Sequence, residues 1–183
     1  MRTCVTILRG EFFSRSVLKV APDLLGKYLV SANLEAIITE VEAYDGPQDL
    51  ACHGRFGPTK RTEVMFGPAG YFYVYLCYGV HWMLNIVTGN EGYPAAVLIR
   101  GVRGSKGLKG SKGEDTFHGP GKITKAFGID QSFNGKSVEP SSGLWIEDRG
   151  VEVHSNQMRK LPRIGVDYAG AWAKKPYRFL LRD

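Results

Sequence analysis

Cysteine is rare in this chain, and the patterns that usually give it a role are missing. Cys4, Cys52 and Cys77, the only three, lie far apart, and no two are separated by just two residues. That argues against a cysteine-based zinc site and a disulfide framework, and it fits a reducing compartment. His53, His81, His118 and His154 make no metal-ligand spacing. No apolar run is long enough to cross a bilayer, and the chain reaches acidic Glu11 without a basic-then-apolar stretch. Neither a membrane anchor nor a signal peptide is expected. Residues 101–113 carry glycine at every third position but hold no proline, which excludes a collagen-like helix. No Walker spacing and no cofactor fingerprint occur. The expectation is a soluble intracellular protein that works without metal or cofactor.

Hydrophobic residues make up 43% of the 183 and charged residues 23%, ordinary values for a folded chain. One substantial core fits that length and two domains would be cramped, so a single domain spanning residues 1–183 is expected. The net charge of +6 serves solubility or a polyanionic partner. Its distribution favours the partner. Between Arg100 and Lys125 stand seven basic residues against Glu114 and Asp115, a surface suited to a phosphate backbone.

Strand patterns dominate. Residues 24–30, 34–44, 71–77, 81–87 and 95–102 read as apolar or aromatic strands, with shorter ones at 143–147, 151–153, 163–166 and 178–181. Helices are expected over 14–24 and 123–127, and a long loop with one helical turn over 51–66. Residues 101–113 read as a mobile basic loop. Together these give a mixed α+β fold.

Two segments carry the chemistry. In Glu40-Val41-Glu42-Ala43-Tyr44 the carboxylates share one strand face with Tyr44, while Ile37, Val41 and Ala43 face the core. Those acids form either a solvated face or a general base near a sheet end. In Tyr71-Phe72-Tyr73-Val74-Tyr75 the three phenols fall on one face, as core or as a pocket wall. A three-residue loop, Tyr78-Gly79-Val80, would pair Cys77 with His81 and Tyr73 with Asn85, adding Asn85 to the tyrosine face. A two-residue turn would send Asn85 to the other face. Tyr78 at the tip could wedge between stacked bases. Arg100 closes an apolar strand, as a snorkelling side chain or as a cation beside Glu42. Gly119-Pro120-Gly121-Lys122 opens a helix in the manner of an anion-binding turn, which makes Gly121 and Lys122 candidate phosphate contacts. His53, in a loop beside Cys52, reads by itself as a surface histidine.

Taken in order, these stretches resemble the alkyladenine (3-methyladenine) DNA glycosylase family. The resemblance rests on Leu24-Leu25-Gly26-Lys27, Thr39 through Tyr44 with Gly46-Pro47, Ala51-Cys52-His53, Met65-Phe66, Gly70 through Gly79 and Met83-Leu84-Asn85. It continues with Leu98-Ile99-Arg100, Gly119 through Lys122, Arg163 through Val166, Ala169-Gly170, Trp172 and Lys175-Pro176. Val80 departs from it, standing where some relatives carry methionine. The family fold is a single α/β domain with a curved antiparallel sheet. The resemblance implies Glu42 as general base. Arg100 and the backbone carbonyl of Ile164 would position the attacking water. Tyr44 would stack on one face of a flipped base, with His53 and Tyr75 on the other, and the His53 amide would read the purine edge. Asn85 would screen against guanine's amino group, and Tyr78 would fill the gap in the duplex. The implied partner is double-stranded DNA containing damaged purines, met by a monomer. The implied reaction is release of 3-methyladenine, 7-methylguanine, hypoxanthine or ethenoadenine without strand cleavage. Two rival readings are a non-catalytic damaged-DNA or RNA-binding module and a formyl- or acyl-transferase-like enzyme.

Overall fold

A computed structural model describes residues 5–108 and 116–182. Its centre is one curled antiparallel sheet. The strands are β1 (Thr6–Ile7), β2 (Tyr28–Ser31), β3 (Glu35–Asp45), β4 (Phe72–Cys77), β5 (His81–Val87), β6 (Ala95–Lys106), β7 (Thr116–His118), β8 (Leu144–Asp148), β9 (Met158–Leu161) and β10 (Arg178–Leu181). The main path runs β1-β8-β2-β3-β6-β5-β4, with β10 joining β3 to β9 and β7 added to β6. The long strands β3 and β6 change neighbours part-way. The start of β3 pairs with β2 and its end with β10, while β6 pairs first with β5 and then with β7.

One face of the sheet carries the main core. Phe72 and Val74 of β4, Leu84 and Ile86 of β5, Val97 and Ile99 of β6, and Val41 and Ala43 of β3 all point into it. Helix α1 (Gly10–Phe13) leads into α2 (Val17–Asp23), whose Val17, Val20 and Ala21 are buried, followed by Leu24 at its C-terminal cap. That spacing lays one helical stripe on the sheet. Helix α3 (Pro120–Phe127) starts on a proline, buries Ile123 and Phe127, and ends on left-handed Gly128. Each large apolar side chain so enclosed contributes about 1.5–3 kcal/mol.

The opposite face is built as a row. Register places Tyr73 beside Asn85, Asn85 beside Leu98, Leu98 beside Glu42, and Glu42 beside Arg178, across five strands. The three-residue loop reading holds, since Cys77 pairs with His81 and Tyr75 with Met83. Tyr78 and Gly79 take positive φ of 50° and 70°, and Tyr78 is the one non-glycine residue to do so among those described. Such a turn matches the twist of the flanking strands.

Several expectations change. Ala36 and Ile38, not Ile37, join Val41 and Ala43 in the core. Thr39 on β3 and Arg100 on β6 have no pairing partner, so two bulges reset the alternation there. Gly101 permits this, because a Cβ on it would lie 2.7 Å from the Cβ of Glu40. The strand expected to end at 102 runs on to Lys106 through the start of the supposed mobile loop, and Leu108 is buried. Residues 109–113 of that loop lie outside the described residues. Residues 24–27 form a turn ahead of β2, and residues 51–66 hold two short 3-10 turns, His53–Phe56 and Glu63–Phe66. Neither 151–153 nor 163–166 forms a strand. At 163–166 the side chain of Arg163 is drawn inward to Asp49, and Gly165 has φ of 75°.

Candidate active site

A cavity of about 530 Å³ opens on the tyrosine face, within the usual range for small-ligand sites. Tyr44, His53, Tyr75, Asn85, Arg100 and Ile164 all line it, and Tyr78 stands at its edge. Tyr71 takes no part, leaving Tyr73 and Tyr75 as the phenols of that wall.

Glu42 lies immediately behind this lining with no exposed surface. Its Oε1 accepts the Ile164 backbone N–H at 2.8 Å and sits 3.5 Å from Arg100 Nε. Its Oε2 accepts the Tyr44 hydroxyl at 3.0 Å. A carboxylate has about four acceptor positions, so one of them is left without a donor here. Arg100 reaches the carboxylates because it follows Leu98 on this face, and its Nε also lies 3.4 Å from Glu40. Arg178 donates to Glu40 at 2.9 Å, so two buried acids are matched by two guanidinium groups. Burial holds the Glu42 carboxyl above its ordinary range, although Arg100, the Ile164 amide and the Tyr44 hydroxyl each pull it down. The solvated-face reading of Glu40 and Glu42 therefore fails: both are buried, and Arg100 lies between them rather than snorkelling to solvent.

The stacking walls are fixed from behind. His53 is half-buried rather than a plain surface residue. Its Nδ1 lies 3.1 Å from the Tyr73 hydroxyl, and its ring meets Tyr75 edge-on at 4.7 Å. Burial, with help from nearby Arg61, pushes the His53 pKa down to about 4, so the ring is neutral at physiological pH. Asn85 donates its amide to the Tyr73 and Met83 carbonyls, which fixes the side-chain orientation. Tyr78 is 92% exposed at the hairpin tip. Pro120 of α3 also lines the cavity. Gly121 lies against the His81 ring, and Lys122 is exposed on the first turn of that helix.

Sequence reasoning missed four residues. Arg163 is buried, pairs with both oxygens of Asp49, donates to the Ala43 carbonyl and lies 4.8 Å from the Tyr44 ring. The Arg163–Asp49 pair anchors the loop that delivers the Ile164 amide. Arg163 sits next to Ile164 in a stretch already singled out, which was the available signal. Arg61 and Tyr168 reach the cavity from segments without periodicity, so nothing local marked them.

This geometry can be set against known proteins. A family model described as methylpurine-DNA glycosylase (MPG) matches residues 11–183. The chain belongs to that family. A DNA-3-methyladenine glycosylase of Arabidopsis thaliana is 46% identical over 171 residues, covering 89% of this chain and 66% of the plant protein. A Legionella pneumophila (strain Corby) protein, provisionally named a 3-methyladenine DNA glycosylase, is 45% identical over 96% of this chain and 94% of its own. An Anaeromyxobacter sp. (strain Fw109-5) protein with the same provisional name is 43% identical over 95% of this chain and 88% of its own. Family membership makes this chain a DNA glycosylase, with DNA as substrate. No described helix is long and apolar enough to cross a membrane.

Proposed function

We propose that this chain excises alkylated or deaminated purines from duplex DNA, of the 3-methyladenine, 7-methylguanine, hypoxanthine and ethenoadenine class. On this reading it acts as a single domain over residues 1–183 and as a monomer on DNA within the cell, in cytoplasm or nucleoid if bacterial. The observation that carries the reading is the Glu42 carboxylate, held by Arg100, Tyr44 and the Ile164 amide behind an aromatic cavity.

A base within a duplex is out of reach, so the nucleotide must be flipped, and weakly paired damaged bases flip most cheaply. Tyr78, exposed beside the cavity, enters the stack and offsets part of the unstacking cost of a few kcal/mol per step. Lys122, with the Gly121 backbone, holds a phosphate at the start of α3. The flipped base lies between Tyr44 and the His53–Tyr75 pair. A cationic base gains roughly 2 kcal/mol from a desolvated aromatic contact such as Tyr44. The His53 amide reads the purine edge. Asn85, its amide nitrogen already committed, crowds the exocyclic amino group of normal guanine.

Glu42 accepts a proton from water in its remaining acceptor position, and that water attacks the anomeric carbon. Arg100 and the Ile164 carbonyl orient the water. The carboxylate also stabilises oxocarbenium character in the sugar. An alkylated base departs without a strong acid because it already carries positive charge. Neutral His53, with a pKa of about 4, does not serve as that acid for other bases. No lysine attacks the sugar, so the product is an intact abasic strand.

Single-turnover release of free base from duplexes carrying hypoxanthine or a methylpurine tests this. Wild-type protein is expected to leave an alkali-labile abasic site, and Glu42→Gln to slow release by about 10²–10⁴, the usual worth of general acid–base catalysis. Release by Glu42→Gln at the wild-type rate would remove Glu42 as base. Tight lesion binding without release by either protein would favour a non-catalytic damaged-DNA binder.

A further inference from the structure

The charges around the cavity do not cancel. Glu40 and Glu42 are matched by Arg100 and Arg178. Arg61 is left over. It projects from the exposed segment between the two short 3-10 turns, lines the cavity, and makes no salt bridge among the described residues. Its guanidinium carbon sits 4.8 Å from the centre of the Tyr75 ring. That ring is one of the two stacking walls assigned above to the flipped base. A guanidinium lying over an aromatic ring already draws on the attraction that a cationic purine would seek there.

The protein also holds its own measure of this field. After burial, Arg61 is the group that most opposes a proton on His53, and it favours ionisation of the Tyr73 and Tyr75 hydroxyls. His53 occupies the same wall as Tyr75. A positively charged purine against that wall meets the field that disfavours an imidazolium there. A neutral purine does not.

We propose that Arg61 is a specificity-determining residue, whose guanidinium over the Tyr75 ring penalises positively charged damaged purines and biases the enzyme towards neutral ones. This rests on the glycosylase reading above. It goes beyond that reading by setting two substrate groups apart through a charge the cavity carries in addition to its aromatic walls.

The test compares 7-methylguanine, a cationic base, with hypoxanthine, a neutral one, in otherwise identical duplexes. Single-turnover release is measured with saturating enzyme, so that overall DNA affinity drops out. Two like charges less than roughly 10 Å apart, at an effective dielectric of about 20, repel by enough to change a rate about tenfold. Arg61→Gln is therefore expected to raise the ratio of 7-methylguanine to hypoxanthine release about tenfold, and Arg61→Lys to keep the ratio near wild type. Arg61 is exposed, so both variants should fold, and circular dichroism checks this. An unchanged ratio in Arg61→Gln, with both rates falling together, would overturn the proposal and mark Arg61 as a phosphate contact serving every lesion. An equal ratio change in Arg61→Gln and Arg61→Lys would overturn it in favour of shape. Failure of the wild-type protein to release either base would instead defeat the underlying glycosylase reading, and is seen before any variant is made.

Discussion

Glu42 shows how one side chain trades stability for reactivity. Burial raises its folded pKa above the ordinary value of 4.5, so between the two values the folded state binds a proton that the unfolded state has lost. Stability contributed by that proton is complete below the unfolded value and is lost as pH rises through the folded one. At neutral pH the enclosed carboxylate is a net cost to the fold, and Glu42→Gln should raise the melting temperature while lowering base release. The reaction needs the charged form, so the acidic limb of kcat/KM should lie above pH 4.5 and disappear in Glu42→Gln. A pH–rate profile and a thermal melt at pH 7 check the two halves. An acidic limb below 4.5, or a lower melting temperature for the variant, would contradict this account. The pairing of Glu42 with Tyr44 was legible from alternation along one strand. The presence of Arg100 beside them was an open alternative, because it depends on which strand lies next to β3.

At the scale of elements, paired bulges and a buried ion pair shape the site. Alternation continued from the core residues Ala36 and Ile38 would have put Glu40 on the core face, and the extra residue at Thr39 turns it towards Arg100. A single sequence does not announce such a bulge, since Thr39 is an ordinary strand residue. The strands of the β4–β5 hairpin were legible, but two loop lengths stayed open, and only the pairing of Cys77 with His81 decided which face Asn85 joins. The stretch 163–166 misled because its apolar residues suggest a strand. Arg163 instead turns inward to Asp49, which also accepts the backbone amides of Asp45 and Ala51. Asp49→Ala would strand a buried guanidinium and is expected to cost about 3–5 kcal/mol. Denaturant melts should show that loss. Base release at temperatures where the variant stays folded should also fall, because the Ile164 amide loses its anchor. A variant as stable as wild type would mean the pair is not what holds this loop.

For the molecule as a whole, the +6 charge predicts DNA affinity that falls linearly with salt on a log–log plot. Lys122→Ala is expected to weaken damaged and undamaged duplexes alike and to lower the salt slope by about one. Fluorescence anisotropy across a salt series measures this, and an unchanged slope would remove Lys122 from the DNA surface. The sequence by itself determined the α+β class and the residue types of the aromatic cavity. Those follow from periodicity and side-chain chemistry, both local properties. Only the tertiary structure decided that Glu42 is sealed from solvent, that Arg100 lies between two acids, and that Arg61 reaches the Tyr75 ring. These depend on contacts between segments up to about 120 residues apart, such as Ile164 with Glu42. No local pattern encodes the distance between residues that meet only when β3, β6 and the loop at 163–166 close on one another.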